Sequence, residues 1–326
     1  MDPYQPEFTI TSEMFLLAEK ISENLGKLST LSVSIKRKEE ARIRNNQASL
    51  AIEGHCLSLR QVKDLANGKD VPGRQADILA VKNAIKCYEE CKGLDPFDVE
   101  SLLKVHGIMM EGLVKAPGQF RQSNVGVVDA KGNVLHLAPP PKFVPELIQK
   151  LFDWLQSTDT PMLIRSSVFH YEFEFIHPFI DGNGRMGRLW QTVLLQNWKP
   201  VYACLPIETT IKERQQEYYK AIHPSTKEGS ANPFTLFILH CIKGATEKQI
   251  EETKIGRDQE EIYRAKLLQV MDYYPKISNE IMKRLHLKSR QSFVKNYLKP
   301  AMEDGAIAMA EPDKPNSRFQ MYVRKD

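Results

Sequence analysis

The chain predicts a mainly helical protein built in two parts. Successive long stretches read as helices, the β-rich runs are short, and repeated strand-helix-strand units are lacking. A charge-dense segment at residues 247–260, poor in large apolar side chains, reads as an exposed linker or linking helix and puts a boundary near residue 250. The length of 326 residues and the 42% hydrophobic content suit two domains with sizeable cores. The expected division is a helical region over residues 1–110, a core over 111–250 and a smaller module over 251–326.

Residues 15–66 read as helices, Asn67-Gly68-Lys69-Asp70-Val71-Pro72-Gly73 as a loop, and residues 75–112 as helices again. Lys36-Arg37-Lys38 with Arg42 and Arg44 reads as a solvated basic helix face. Within the first helical stretch, Ser49 and Glu53 stand four apart on one face, and Gly54 closes or loosens the helix. Pro117-Gly118-Gln119-Phe120-Arg121-Gln122-Ser123-Asn124 leads into Val125-Gly126-Val127-Val128 and Val134-Leu135-His136-Leu137. These runs flank the turn Asp129-Ala130-Lys131-Gly132-Asn133 and predict a β-hairpin, whose exposed edge can accept an extended segment. Pro139-Pro140-Pro141 ends it, and an amphipathic helix follows over residues 144–155.

The densest chemistry lies in His177-Pro178-Phe179-Ile180-Asp181-Gly182-Asn183-Gly184-Arg185-Met186-Gly187-Arg188. Gly182 and Gly184 allow a sharp turn and close approach of a ligand, and the apolar-periodic run 185–198 is a helix whose first N–H groups face an anion. Arg185 and Arg188 share a helical face and can grip phosphate oxygens bidentately. Asp181 can hold a hard cation such as Mg²⁺, and His177 is the natural proton acceptor.

This stretch resembles the HxFx(D/E)GNGRxxR signature of the Fic family at every specified position. The resemblance implies a Fic-type helical core with a β-hairpin flap and transfer of AMP from ATP to a Ser, Thr or Tyr hydroxyl of a target protein or of the chain itself. His177 would take the hydroxyl proton, Asp181 would place Mg²⁺, and Asn183 with the N–H groups of Gly182 and Gly184 would hold phosphate oxygens. Arg185 and Arg188 would bind the β- and γ-phosphates, and Phe179 would anchor the loop. Upstream, Ser49-Leu50-Ala51-Ile52-Glu53-Gly54 is similar to the family's (S/T)xxxE(G/N) inhibitory motif, which implies that Glu53 pairs with Arg188 and obstructs the γ-phosphate. The same resemblance makes Val134, Leu135, His136 and Leu137 a flap that clamps the target. It also makes Tyr218 and Tyr219, on a helical segment over residues 211–222, a platform for adenine. An asparagine that some relatives carry has no clear match, since Thr226 stands nearest by spacing, so base selectivity is open.

A rival reading starts from Gly182-Asn183-Gly184-Arg185-Met186-Gly187, which also spells the dinucleotide-binding G-x-G-x-x-G. It needs a preceding strand, for which the alternation Phe169-His170-Tyr171-Glu172-Phe173-Glu174-Phe175 can pass, and an acid on the ribose, for which Glu208 can pass. Pro178 at the junction and the two arginines count against it.

The formal charge of +4 is too small to name a partner. The apolar run 234–242 is far short of a membrane span, and Met1-Asp2-Pro3-Tyr4-Gln5-Pro6-Glu7 lacks the pattern of a signal peptide. Five scattered cysteines point to reduced thiols in the cytoplasm, with Cys87 and Cys91 as packing residues. Beyond the boundary, residues 260–274, a helix capped by Ser278, and a helix started by Ser289 or Ser292 precede two strands at 306–310 and 318–323. The module resembles a winged helix-turn-helix such as accompanies many Fic proteins. Lys288, Arg290, Lys295 and Lys299 could meet DNA phosphates, while interleaved acids leave a protein contact or dimerisation equally open for residues 256–326. Two other activities stay open. One is hydrolytic removal of AMP, with Glu53 positioning water; the other is a DNA-binding regulator that senses nucleotide.

Overall fold

A computed structural model describes residues 4–30, 35–128, 134–315, 317 and 319–325. The chain divides into two compact units, Met1–Ile250 and Glu251–Asp326. Among the described residues no helix is long and apolar enough to cross a membrane.

At the centre of the first unit the helices Met162–Ile176 and Asn183–Trp198 run on either side of the signature turn. Met162–Ile176 is buried on nearly every side, from Leu163 through Glu174. Such a helix has no polar stripe, so its period is invisible in the sequence. The alternating segment 169–175 lies wholly on it, which removes the strand that the dinucleotide reading requires. Glu208, the ribose ligand of that reading, is 1% exposed in the helix Ile207–Glu213, where its carboxylate accepts the Tyr88 hydroxyl at 2.5 Å.

Val144–Ser157 packs against the first helix of this pair and Ile35–Ile52 against the second. Ser12–Thr30, Ile35–Ile52, Leu59–Ala66, Gln75–Glu90 and Val99–Met109 come before the pair, and Gln215–Glu228 after it. Ser58 starts Leu59–Ala66 with a reciprocal capping box to Gln61. Asp98 caps Val99–Met109 by accepting the N–H groups of Glu100 and Ser101, which fixes the helix that carries His106. The expected continuous helix over 211–222 is broken at Arg214 into Ile207–Glu213 and Gln215–Glu228. The strands Gly126–Val128 and Val134–Leu137 pair antiparallel, Gly126 opposite Leu137, with an irregularity between Val127 and Val128. The turn Asp129-Ala130-Lys131-Gly132-Asn133 lies outside the described residues.

The charge-dense segment 247–260 is helical, inside the continuous helix Asn232–Val270. In the second unit a three-stranded antiparallel sheet has Met321–Arg324 between Lys276–Ile277 and Ile307–Met309. Leu267, Ile281, Phe293, Leu298 and Ile307 form its apolar centre. Ser278 does not cap the helix Ser278–Arg284 but is its first residue, following extended Ile277. Ser289 does cap, its Oγ accepting the Ser292 N–H at 3.2 Å. The helix that follows widens to a π turn over Val294–Leu298. Pro300 explains this, because it lacks an N–H and its ring crowds the carbonyl four residues back.

Candidate active site

The helix Met162–Ile176 stops at His177, whose backbone is left-handed at φ 51°, ψ 62°. Histidine is among the few non-glycine residues found there. Arg121, 3% exposed, holds that conformation from behind. Its Nε donates to the His177 carbonyl at 2.8 Å and its Nη2 to the Ile176 carbonyl at 3.3 Å. The same guanidinium donates to the carbonyls of Ser123 at 2.8 Å and Pro139 at 2.5 Å. His177 Nδ1 lies 3.3 Å from the Glu174 carbonyl. A carbonyl can only accept, so Nδ1 carries the proton and Nε2 is left as the basic nitrogen.

Phe179 is fully buried and lies flat on His106, centroids 3.6 Å apart and planes within 5°. His106 Nδ1 accepts the Gly118 N–H at 2.9 Å, and Nε2 donates to the Asp181 carbonyl at 3.1 Å. Burial pushes the His106 pKa down to about 4, in keeping with the neutral ring these bonds require. Asn183 is 2% exposed, and its amide exchanges two 2.9 Å bonds with the Phe179 backbone. Its side chain thereby braces the loop, both ends of the amide being engaged by the chain itself. Gly182 sits at φ 88° with Met110 Sδ only 2.7 Å from where a Cβ would stand. The Asp181 carboxylate is 62% exposed, and its Oδ1 accepts the Gly182 N–H at 2.6 Å and Arg185 Nη2 at 3.3 Å. Among the described residues no three His, Cys, Asp or Glu side chains cluster as a metal site. Mg²⁺ needs no such cage, since one carboxylate with substrate phosphates and water is its usual setting.

The other end of the segment is closed. Arg188 is 1% exposed. Its Nε donates to Ser49 Oγ at 3.0 Å, and its Nη2 to the Ser49 carbonyl at 3.1 Å and to Glu53 Oε1 at 2.7 Å. Burial is the largest influence and acts to lower the Arg188 pKa, but the charge and hydrogen bond of Glu53, with Tyr218 and Glu208 beside it, together hold the guanidinium above its ordinary range. A Cβ on Gly184 would stand 2.6 Å from Glu53 Oε1. The carboxylate therefore rests on the first turn of the helix Asn183–Trp198, where the helix end favours an anion.

The helix bearing Ser49 ends in a Schellman motif at Gly54, φ 84°, with the His55 N–H bonded to the Leu50 carbonyl at 3.1 Å. Three side chains from the later helices hold its last carbonyls. Lys212 Nζ donates to Ala51 at 2.9 Å, Gln215 Nε2 to Ile52 at 3.1 Å, and the Tyr219 hydroxyl to Ile52 at 3.4 Å. Beneath Gly187, Glu174 is buried, its Oε1 without a hydrogen bond and 3.8 Å from His170 Nε2, and burial raises its pKa to about 8. Arg185, 6% exposed, has an unpartnered Nε and lines a cavity of about 10 Å³ with Asn46, Ser49, Tyr88 and Glu208. That is room for one water.

Tyr218 and Tyr219 do not form an open platform. Tyr218 is 2% exposed, packed 5.7 Å from Phe234 and 6.0 Å from Phe237, with its hydroxyl 3.3 Å from His170 Nε2. It belongs to the core, and Tyr219 alone of the pair is half-buried. Leu137, at the end of the second hairpin strand, is 75% exposed. His106, Glu174 and Lys212 escape sequence reasoning, because each acts through packing or a backbone partner remote in the chain.

A helical core, a glycine turn opening a helix, and paired arginines define an anion-binding enzyme-like site. Residues 96–195 match the model of the Fic/DOC family, and residues 264–323 match that of the Filamentation induced by cAMP protein Fic-like, C-terminal domain. A solved Fic family protein from Desulfovibrio desulfuricans G20 is 41% identical, with 99% of this chain and 98% of that one covered at a TM-score of 0.75. The chain belongs to the Fic family. Protein adenylyltransferase fic-1 of Caenorhabditis elegans is 26% identical over 223 residues, 64% of this chain and 41% of that protein. Protein adenylyltransferase Fic of Nematostella vectensis is 25% identical over 254 residues, 73% of this chain and 57% of that protein. The chain spans about half the length of these curated relatives.

Proposed function

We propose that the chain transfers AMP from ATP to a hydroxyl of a protein, and that Glu53 restrains the transfer. The observation that carries this reading is an anion already seated in an anion site, the Glu53 carboxylate against Gly184 and 2.7 Å from Arg188. A nucleotide phosphate fits the same features, since Gly184 leaves room and the helix end supplies N–H groups. His177 Nε2 accepts the hydroxyl proton as the oxygen attacks the α-phosphorus and pyrophosphate leaves. Arg185 and Arg188 stabilise the charge spread over the phosphates, Arg188 only after Glu53 has moved aside. Asp181 would hold Mg²⁺, which when bound would offset negative charge on the phosphates.

Hydrolytic removal of AMP is a second reading, supported by the Glu53 carboxylate being 33% exposed beside the same helix end, where it could position water. Glu53→Gly separates the two. With ATP and Mg²⁺, mass spectrometry of the protein should find more AMP incorporated if Glu53 is a brake. Release of AMP from a modified protein should collapse if it positions water.

For the C-terminal module, exposed Lys288, Arg290, Lys295 and Lys299 support contact with nucleic-acid phosphate. A salt-dependent gel shift with DNA tests this, and no shift at low salt sinks it.

A further inference from the structure

Arg121 joins three backbone segments through one guanidinium. Its bonds end on Ile176 and His177 at the close of one helix, on Ser123 just before the strand Gly126–Val128, and on Pro139 just after the strand Val134–Leu137. Its own N–H adds a bond of 3.0 Å to the Pro178 carbonyl. All these acceptors are neutral carbonyls, and burial alone shifts its pKa, downward. Among the described residues no carboxylate pairs with it. An unpaired cation is unfavourable in such a place, so hydrogen bonding that a neutral side chain could supply does not account for it. Only the planar fork of arginine presents five donors in fixed directions, enough to reach all three segments at once.

We infer that Arg121 is a positioning residue for the transfer reaction. It fixes the backbone of the His177 base and both roots of the hairpin as one piece, so a hydroxyl presented along the hairpin stays in register with Nε2. The inference rests on the reading of His177 as the base and of the hairpin as the target's seat. A misplacement of one ångström can cost about 10²-fold in rate, so these bonds bear on turnover as well as on folding.

The test uses the full chain carrying Glu53→Gly, with its own hydroxyls as acceptor, ATP varied, and Arg121→Lys or Arg121→Gln added. The expected result is a kcat lower by about 10- to 100-fold, an ATP KM within about twofold of the parent, and one ATP bound per chain. A kcat within about twofold of the parent overturns the inference. So does a rate that falls only in proportion to ATP-binding capacity, which is what general loss of structure would give. Ring ¹⁵N signals of His177 read its placement without turnover and should shift in Arg121→Lys while those of buried His170 stay put. Unmoved His177 signals overturn the inference even if AMP transfer stands. A Glu53→Gly parent that incorporates no AMP counts against the transferase reading alone.

Discussion

The two ends of the signature segment are braced in opposite ways. At the His177 end the supports reach backbone atoms, through Arg121 and His106, and the Asp181 carboxylate stays 62% exposed. At the Arg188 end the side chain itself is enclosed, 1% exposed, with Nε and Nη2 taken by Ser49 and Glu53. Proton transfer and cation binding need groups that remain reachable, so their bracing stays behind them. A grip on phosphate favours a desolvated cation, and Arg188, unlike the carbonyl-bound Arg121, needs an anion beside it. Glu53 meets that need whenever a phosphate does not. In the proposed function, regulation and binding are therefore one electrostatic requirement with two ways of meeting it.

The contrast can be broken first at the open end. His177→Ala should lower AMP incorporation by about 10²- to 10⁴-fold while ATP binding persists, and equal rates in labelled-ATP assays would remove His177 from the chemistry. The closed end comes next. Glu53→Gly should raise incorporation by about tenfold or more, since displacing a contact worth about 1.4 kcal/mol already gives a factor of ten. It should also lower the melting midpoint without nucleotide. An unpaired Arg188 costs about 2 kcal/mol, less than for a fully enclosed pair because Glu53 is 33% exposed. That corresponds to a midpoint lower by about 5 °C, recovered on adding ATP. An unchanged midpoint would show that the pair does not hold the closed end.

Glu174 sharpens the comparison through pH. Burial lifts its carboxyl from 4.5 to about 8, so between those values the folded chain keeps a proton that the unfolded chain releases. The contribution is complete below pH 4.5 and is lost as pH rises through about 8. Glu174→Gln should remove this slope, and its melting midpoint relative to the parent should climb from about pH 5 to about pH 8. Parallel curves for the two proteins would discount the buried carboxyl. The smallest effect belongs to Lys212, whose bond to the Ala51 carbonyl steadies the helix end beside Glu53. Its loss, about 1 kcal/mol, should raise incorporation by no more than about fivefold in Lys212→Ala, well under the Glu53→Gly response.

How much of this is legible in the chain depends on how far each cause reaches. Gly182, Gly184 and the helix after them act over a few residues, so the turn and its anion-facing end can be read locally. The Ser49 and Glu53 contacts to Arg188 span 139 and 135 residues, and only likeness to a family connects them beforehand. Tyr218 illustrates a different limit, because spacing cannot tell an aromatic ring that stacks on a ligand from one that fills the core. Arg121 and His106 bond to backbone carbonyls, which every residue has, so nothing in their partners' identities announces them. Asn183 has the right chemistry for phosphate, yet its own turn claims both ends of its amide.

The left-handed backbone at His177 bears on how the protein can be silenced. Alanine there adds strain of about 1 kcal/mol to the loss of the imidazole, and a β-branched residue adds more. Asparagine tolerates that conformation, so it can abolish proton acceptance while leaving the loop's resting shape intact. For trapping a target and nucleotide side by side, His177→Asn is therefore the gentler inert form, its surroundings bent least by the change.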